Sequence, residues 1–99
     1  NYNGLGYVLA QQGRTDDAIA EFRKAIDADA KFTPAYNNLA EALAREHHLD
    51  EAAEYYRRSL AEKPSAAVYN ALGSILRQLG KTDEAAQQFS KAQALQTAR

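Results

Sequence analysis

Tyr36-Asn37-Asn38-Leu39-Ala40-Glu41-Ala42-Leu43 carries a pattern that the chain states three times. Tyr2-Asn3-Gly4-Leu5-Gly6 precedes it and Tyr69-Asn70-Ala71-Leu72-Gly73 follows it. Sixteen residues after each Tyr a second pattern opens: Ala18, Phe22, Ala25, then Ala52, Tyr56, Ser59, then Ala85, Phe89, Ala92. A period of about 34 residues, with large, small and aromatic positions at fixed offsets, is the mark of stacked helical hairpins.

The spacing within each segment supports that reading. Tyr36, Leu39, Ala40 and Leu43 fall at i, i+3, i+4 and i+7, as do Tyr2, Leu5, Gly6, Leu9 and Tyr69, Leu72, Gly73, Leu76. Each set makes one apolar stripe on a helix. The second segments carry their own stripes, Ala18-Ile19-Phe22-Ala25-Ile26 and Ala52-Ala53-Tyr56-Ser59-Leu60, so the two stripes of a hairpin are expected to bury each other. Small residues at Gly6, Ala40 and Gly73, facing Ala18, Ala52 and Ala85, let the two backbones approach closely.

Turn residues fall between the stripes. In Gly13-Arg14-Thr15-Asp16 and Gly80-Lys81-Thr82-Asp83, Gly suits a left-handed C-terminal cap, Thr is expected to cap the next helix, and the acids suit its positive end. Glu46-His47-His48-Leu49-Asp50 occupies the same place in the second repeat, with His47 at the turn Gly. It is also the one cluster with side chains suited to metal or acid–base work. Adjacent histidines point in different directions, however, and a turn with positive φ accounts for the segment. Between repeats, Thr33-Pro34 reads as an N-cap followed by Pro in the first turn, and Pro64-Ser65 as a stop followed by a new cap. The expected architecture is all-α, with six antiparallel helices in repeats of about 1–32, 33–66 and 67–99.

Composition narrows the function. Twelve basic and thirteen acidic residues give a net charge of -1, whereas a nucleic-acid footprint usually needs a basic face and a pI above about 9. Cysteine is absent, which removes disulfides and thiolate metal sites. No apolar run approaches the roughly 20 residues of a membrane span. No nucleophile–base constellation, phosphate loop or paired carboxylates emerge, so neither catalysis nor a cofactor is expected. Glu41/Arg45 and Glu54/Arg58 are i,i+4 pairs typical of solvated helix faces. The chain opens on Asn1-Tyr2 without Met or a Thr-Pro start, which suggests a piece of a longer protein.

With bulky residue, Leu and small residue followed by Ala, aromatic, Ala and Pro, the chain resembles the tetratricopeptide repeat (TPR) family over nearly its whole length. It departs in having Tyr2, Tyr36 and Tyr69 where Trp is common, His47 for the turn Gly, and Ala30 where the second copy has Pro64. The resemblance implies an α-solenoid of three helix-turn-helix repeats in a right-handed superhelix, and a scaffold that binds a protein or peptide partner.

At about 100° per residue, the face of each first helix opposite its stripe carries Asn3, Tyr7 and Gln11, then Asn37, Glu41 and Arg45, then Asn70, Ser74 and Arg77. In TPR proteins that face lines the concave groove. Stacked Asn3, Asn37 and Asn70 suit a peptide backbone, and Tyr7 suits an amphipathic anchor. Some TPR domains grip a C-terminal carboxylate with a clamp of Lys, Asn and Arg. Only Asn38 matches that clamp; Asn3, Tyr7, Ala67 and Ala71 replace its other members, which counts against a receptor for such tails.

The copies also differ. Leu5 to Leu39 is 34 residues but Leu39 to Leu72 is 33, so one residue is missing from the second junction. A shortened helix end with unchanged stacking is the simpler expectation, and a tilted third hairpin the alternative. Gln93 replaces Ile26 and Leu60, giving the last helix the wetter face of an array end. Phe89 and Leu95 leave open weak self-association through that helix.

Overall fold

The computed structural model describes residues 1–98 and, among them, six α-helices and no strand. They are α1 (Tyr2–Gln11), α2 (Thr15–Ala28), α3 (Thr33–Arg45), α4 (Leu49–Glu62), α5 (Ala66–Gln78) and α6 (Thr82–Thr97). Each helix packs most extensively on its hairpin partner, α1 on α2, α3 on α4 and α5 on α6. The second helix of each hairpin then lies on the first of the next, and α1 also touches α3.

The periodic stripes become the core. Leu39, Leu43, Leu72 and Leu76 are all buried, interleaved with Ala18, Ala52 and Ala85. Burying each such Leu contributes about 1.5–3 kcal/mol. The glycines set how closely a hairpin closes: a methyl group at Gly6 would lie 2.6 Å from the Phe22 ring, and one at Gly73 2.7 Å from that of Phe89. Two rings thus rest on bare helix backbone, while the middle hairpin pairs Ala40 with Tyr56.

The first stripe behaves differently from expectation. Tyr2 and Leu5 are each 49% exposed and Val8 50%, although the equivalent Tyr36, Leu39 and Ala42 are all buried. The hairpin partner covers only part of a first helix. The rest of its cover comes from the second helix of the preceding hairpin, as α2 covers α3 and α4 covers α5.

Helix starts also depart from the sequence reading. Thr15, Thr33 and Thr82 are first helical residues rather than caps, and the N-caps Arg14, Phe32 and Lys81 make no side-chain capping bond. The hairpin turns close through backbone instead: the Arg14 amide donates to the Leu9 carbonyl at 2.9 Å and the Lys81 amide to that of Leu76 at 2.8 Å. Gly13 (φ 79°) and Gly80 (φ 81°) take the left-handed conformation this needs, and His47 takes it at φ 61°. Asp16/Asp17, Asp50/Glu51 and Asp83/Glu84 face the positive helix ends. Ser65 does cap α5, accepting from the Val68 amide at 3.4 Å. Asn1 caps α1, accepting from the Gly4 amide at 2.6 Å, so that helix has a start signal of its own.

The residue missing at the second junction comes from the link, not from a helix end. α3 and α5 both have 13 residues, and α2 and α4 both have 14. The first link holds Asp29 to Phe32 and the second only Lys63 to Ser65. In the longer link the Tyr36 hydroxyl donates to the Ala30 carbonyl at 2.7 Å, tying the loop down.

Candidate functional site

α3 is buried on two sides, by α4 through Tyr36, Leu39, Ala40 and Leu43 and by α2 beyond Ala35 and Ala42. Asn38, Glu41 and Arg45 remain on the third side. There they meet Tyr7, Ala10 and Gln11 of α1 around a small pocket of about 40 Å³, with Phe22 and Ala42 completing its lining. At that volume the pocket admits a few waters at most, so it is a notch for a side chain rather than a chamber for a small molecule.

Two polar contacts shape this wall. The Asn38 amide donates to Asn3 Oδ1 at 3.0 Å, joining the first two repeats. Arg45 donates to Glu41 at 3.0 Å, so the only opposite charges in the notch are paired with each other. Below them, burial and then the Glu41 carboxylate push the Tyr56 phenol up to about 12. Both effects disfavour the phenolate, so Tyr56 stays a neutral phenol at physiological pH.

Of the residues singled out in the sequence, Tyr7, Gln11, Asn38, Glu41 and Arg45 line one notch, and Asn3 joins it through Asn38. Asn37 is half-buried, and its Oδ1 is enclosed without a hydrogen-bond partner. On α5, Asn70 and Arg77 are exposed and Ser74 half-buried; none lines the notch. Arg77 lies with its guanidinium 5.7 Å from the centre of the Phe89 ring. Ala10, Ala42 and Phe22 were not anticipated as lining residues. Their signal was the i,i+3 relation of Ala10 to Tyr7 and the lack of a side chain at Gly6, which brings Phe22 to the helix surface.

Among the described residues, no group of three or more His, Cys, Asp or Glu side chains is placed to hold a metal ion, and no helix is long and apolar enough to cross a membrane. The arrangement is a solvent-facing wall of amides, a phenol and one internal ion pair, suited to hydrogen bonding with another chain.

Such a stack of hairpins with a polar inner wall defines a helical-repeat scaffold. Family models described as tetratricopeptide repeat match residues 9–75 and 66–98. The chain belongs to the tetratricopeptide repeat family, whose fold serves protein–protein interaction and whose members are generally non-catalytic. It is 34% identical over 90 residues to the type IV pilus assembly protein PilF of Pseudomonas aeruginosa, covering 90% of this chain and 35% of that protein. A crystal structure of MamA superposes with a TM-score of 0.90 at 27% identity, over 92% of this chain and 54% of MamA. The second TPR of Spaghetti (RPAP3), solved bound to the HSP90 peptide SRMEEVD, gives a TM-score of 0.90 at 23% identity, covering 95% of this chain and 88% of that one. The chain thus spans about a third of the PilF sequence and about half of the MamA structure.

Proposed function

We propose that this domain binds an extended segment of a partner protein along the wall formed by α1, α3 and α5, with the Tyr7–Arg45 notch taking one side chain. The observation that carries this reading is the convergence of Tyr7, Gln11, Asn38, Glu41 and Arg45 on one exposed notch, although they come from two repeats. Asn3 and Asn38 offer their remaining amide groups to a peptide backbone, and Asn37, Asn70, Ser74 and Arg77 continue the surface. Because Glu41 neutralises Arg45, binding is moderate and only weakly salt-dependent.

The similar RPAP3 domain holds the HSP90 peptide SRMEEVD. Here Asn3, Ala67 and Ala71 stand where the clamp would carry its cations and Tyr7 where it would carry Asn, so a terminal carboxylate gains no charge-assisted bonds. The ligand of this groove is an internal, near-neutral segment. A peptide array tests the reading: Tyr7→Ala and Arg45→Ala, both at exposed positions, are expected to weaken the same hits by about tenfold, or about 1.4 kcal/mol. Hits insensitive to both changes would instead favour an architectural role, stacking on the parent protein. The exposed Tyr2, Leu5 and Val8 of α1 speak for that second reading.

A further inference from the structure

The two junctions between hairpins build the same cradle from equivalent positions, but only the first carries a second tyrosine ring in it. At the first, Arg23, Ile26, Asp27, Tyr55 and Arg58 surround a cavity of about 220 Å³. Tyr55 stacks on Tyr36 with ring centres 6.2 Å apart. The Arg58 guanidinium lies 5.2 Å from the centre of the Tyr55 ring, and Arg23 donates to the Tyr55 hydroxyl at 3.3 Å. Both arginines also have carboxylates: Arg23 pairs with Glu51 at 3.6 Å and Arg58 with Glu54 at 3.1 Å. The layers run Tyr36, Tyr55, cation.

At the second junction the equivalents of Arg23, Ile26 and Arg58 are Arg57, Leu60 and Lys91, and they line a cavity of about 310 Å³ with Tyr69, Leu72, Gln88 and Ala61. The changes remove one aromatic ring and two carboxylates. Tyr55 becomes Gln88, Asp27 becomes Ala61 and Glu54 becomes Gln87. Glu51 is retained as Glu84, but among the described residues no ion pair joins Arg57 or Lys91 to a carboxylate. With no ring in the middle layer, Lys91 lies directly over Tyr69, its ammonium 5.9 Å from the ring centre.

We propose that this second cradle binds a partner-protein segment through an aromatic side chain next to a carboxylate. The ring takes the layer that Tyr55 fills at the first junction, stacking on Tyr69 while the exposed Lys91 side chain swings outward to lie over its other face, so that stacking and cation–π attraction both act. The carboxylate gives Arg57 and Lys91 the kind of partner that Glu51 and Glu54 give Arg23 and Arg58 at the first junction. The site lies among α4, α5 and α6, shares no lining residue with the notch between α1 and α3, and stands independently of the groove reading.

The test is a titration of the isotope-labelled protein with the blocked peptide acetyl-Gly-Tyr-Asp-Gly-amide, followed by backbone amide shifts. Saturable shifts are expected at Tyr69, Gln88 and Lys91, at least about tenfold weaker with a control peptide lacking either the ring or the carboxylate. Gln88→Tyr combined with Ala61→Asp fills the cradle from within and should abolish those shifts while raising Tm. The converse set, Tyr55→Gln and Asp27→Ala with Glu54→Gln, should add a second set at Tyr36 and Arg58. Lys91→Gln, at an exposed position, supplies a variant that keeps the fold and loses binding. Shifts absent from the second junction, confined to α1 and α3, or unchanged in the filled or Lys91→Gln variants would overturn the proposal.

Discussion

At Gly6 two effects of opposite sign compete. Replacing a helical Gly by Ala gains up to about 1 kcal/mol of helix propensity, but the added methyl would sit 2.6 Å from the rigid ring of Phe22, which is 1% exposed. Overpacking of this kind costs about 1–3 kcal/mol, so Gly6→Ala should lower stability by up to about 2 kcal/mol in urea unfolding. Gly73→Ala meets Phe89, which is only half-buried and can yield, and should cost less. A Gly73→Ala loss larger than that of Gly6→Ala would contradict this account. His47 is the reverse case: its φ of 61° strains any side chain. His47→Gly should preserve stability or raise it by up to about 1 kcal/mol, relief of strain outweighing the added freedom of the unfolded chain.

Tyr56 adds a pH dependence. Below about pH 10 both folded and unfolded chains keep the phenolic proton; between about 10 and 12 the unfolded chain releases it while the folded chain holds it. The unfolded state then binds fewer protons, so stability falls as pH rises through that window. Tyr56→Phe removes this component while leaving the other titrating groups in place. The wild-type protein should therefore lose more stability than the variant from about pH 10 to 12, and parallel curves would refute the assignment.

At the scale of the helix, equivalent positions separate burial from sequence. Leu5 and Leu39 hold the same place in their repeats, but one is 49% exposed and the other fully buried. Leu39→Ala should cost about 2–5 kcal/mol, and Leu5→Ala well under half of that, in matched denaturant curves. Ala52→Leu, between α3 and α4, should cost about 1–3 kcal/mol. The fold was legible because 3.6-residue periodicity records which side of a helix is buried somewhere in an array. Which copies of the stripe find a cover depends on neighbours, so the exposure of Tyr2, Leu5 and Val8 was not legible. Similarly, a rotation of about 100° per residue placed Tyr7, Gln11, Glu41 and Arg45 on one wall. It could not show that Asn38 would bond to Asn3, or that the Asn37 carbonyl would be enclosed, because both depend on how two repeats are offset.

For the molecule as a whole, stability is the sum of hairpins and the junctions between them. α3 carries the most buried residues of the six helices and touches a neighbour on either side, whereas α1 has one buried residue, Gly6. Native-state hydrogen exchange should therefore show the amides of α3 and α4 opening last and those of α1 first; uniform protection would mean that the array unfolds as one unit. The two ends are also chemically unlike. α1 has no charged residue and presents Tyr2, Leu5 and Val8, while the matching surface of α6 carries Gln93 where Ile26 and Leu60 stand in the earlier repeats. If copies joined tail to head, the amide of Gln93 would be pressed onto Leu5 and Val8, and each unpaired polar group so enclosed costs about 1–3 kcal/mol. The stack thus has a direction, set by an uncharged first helix and a more polar last one.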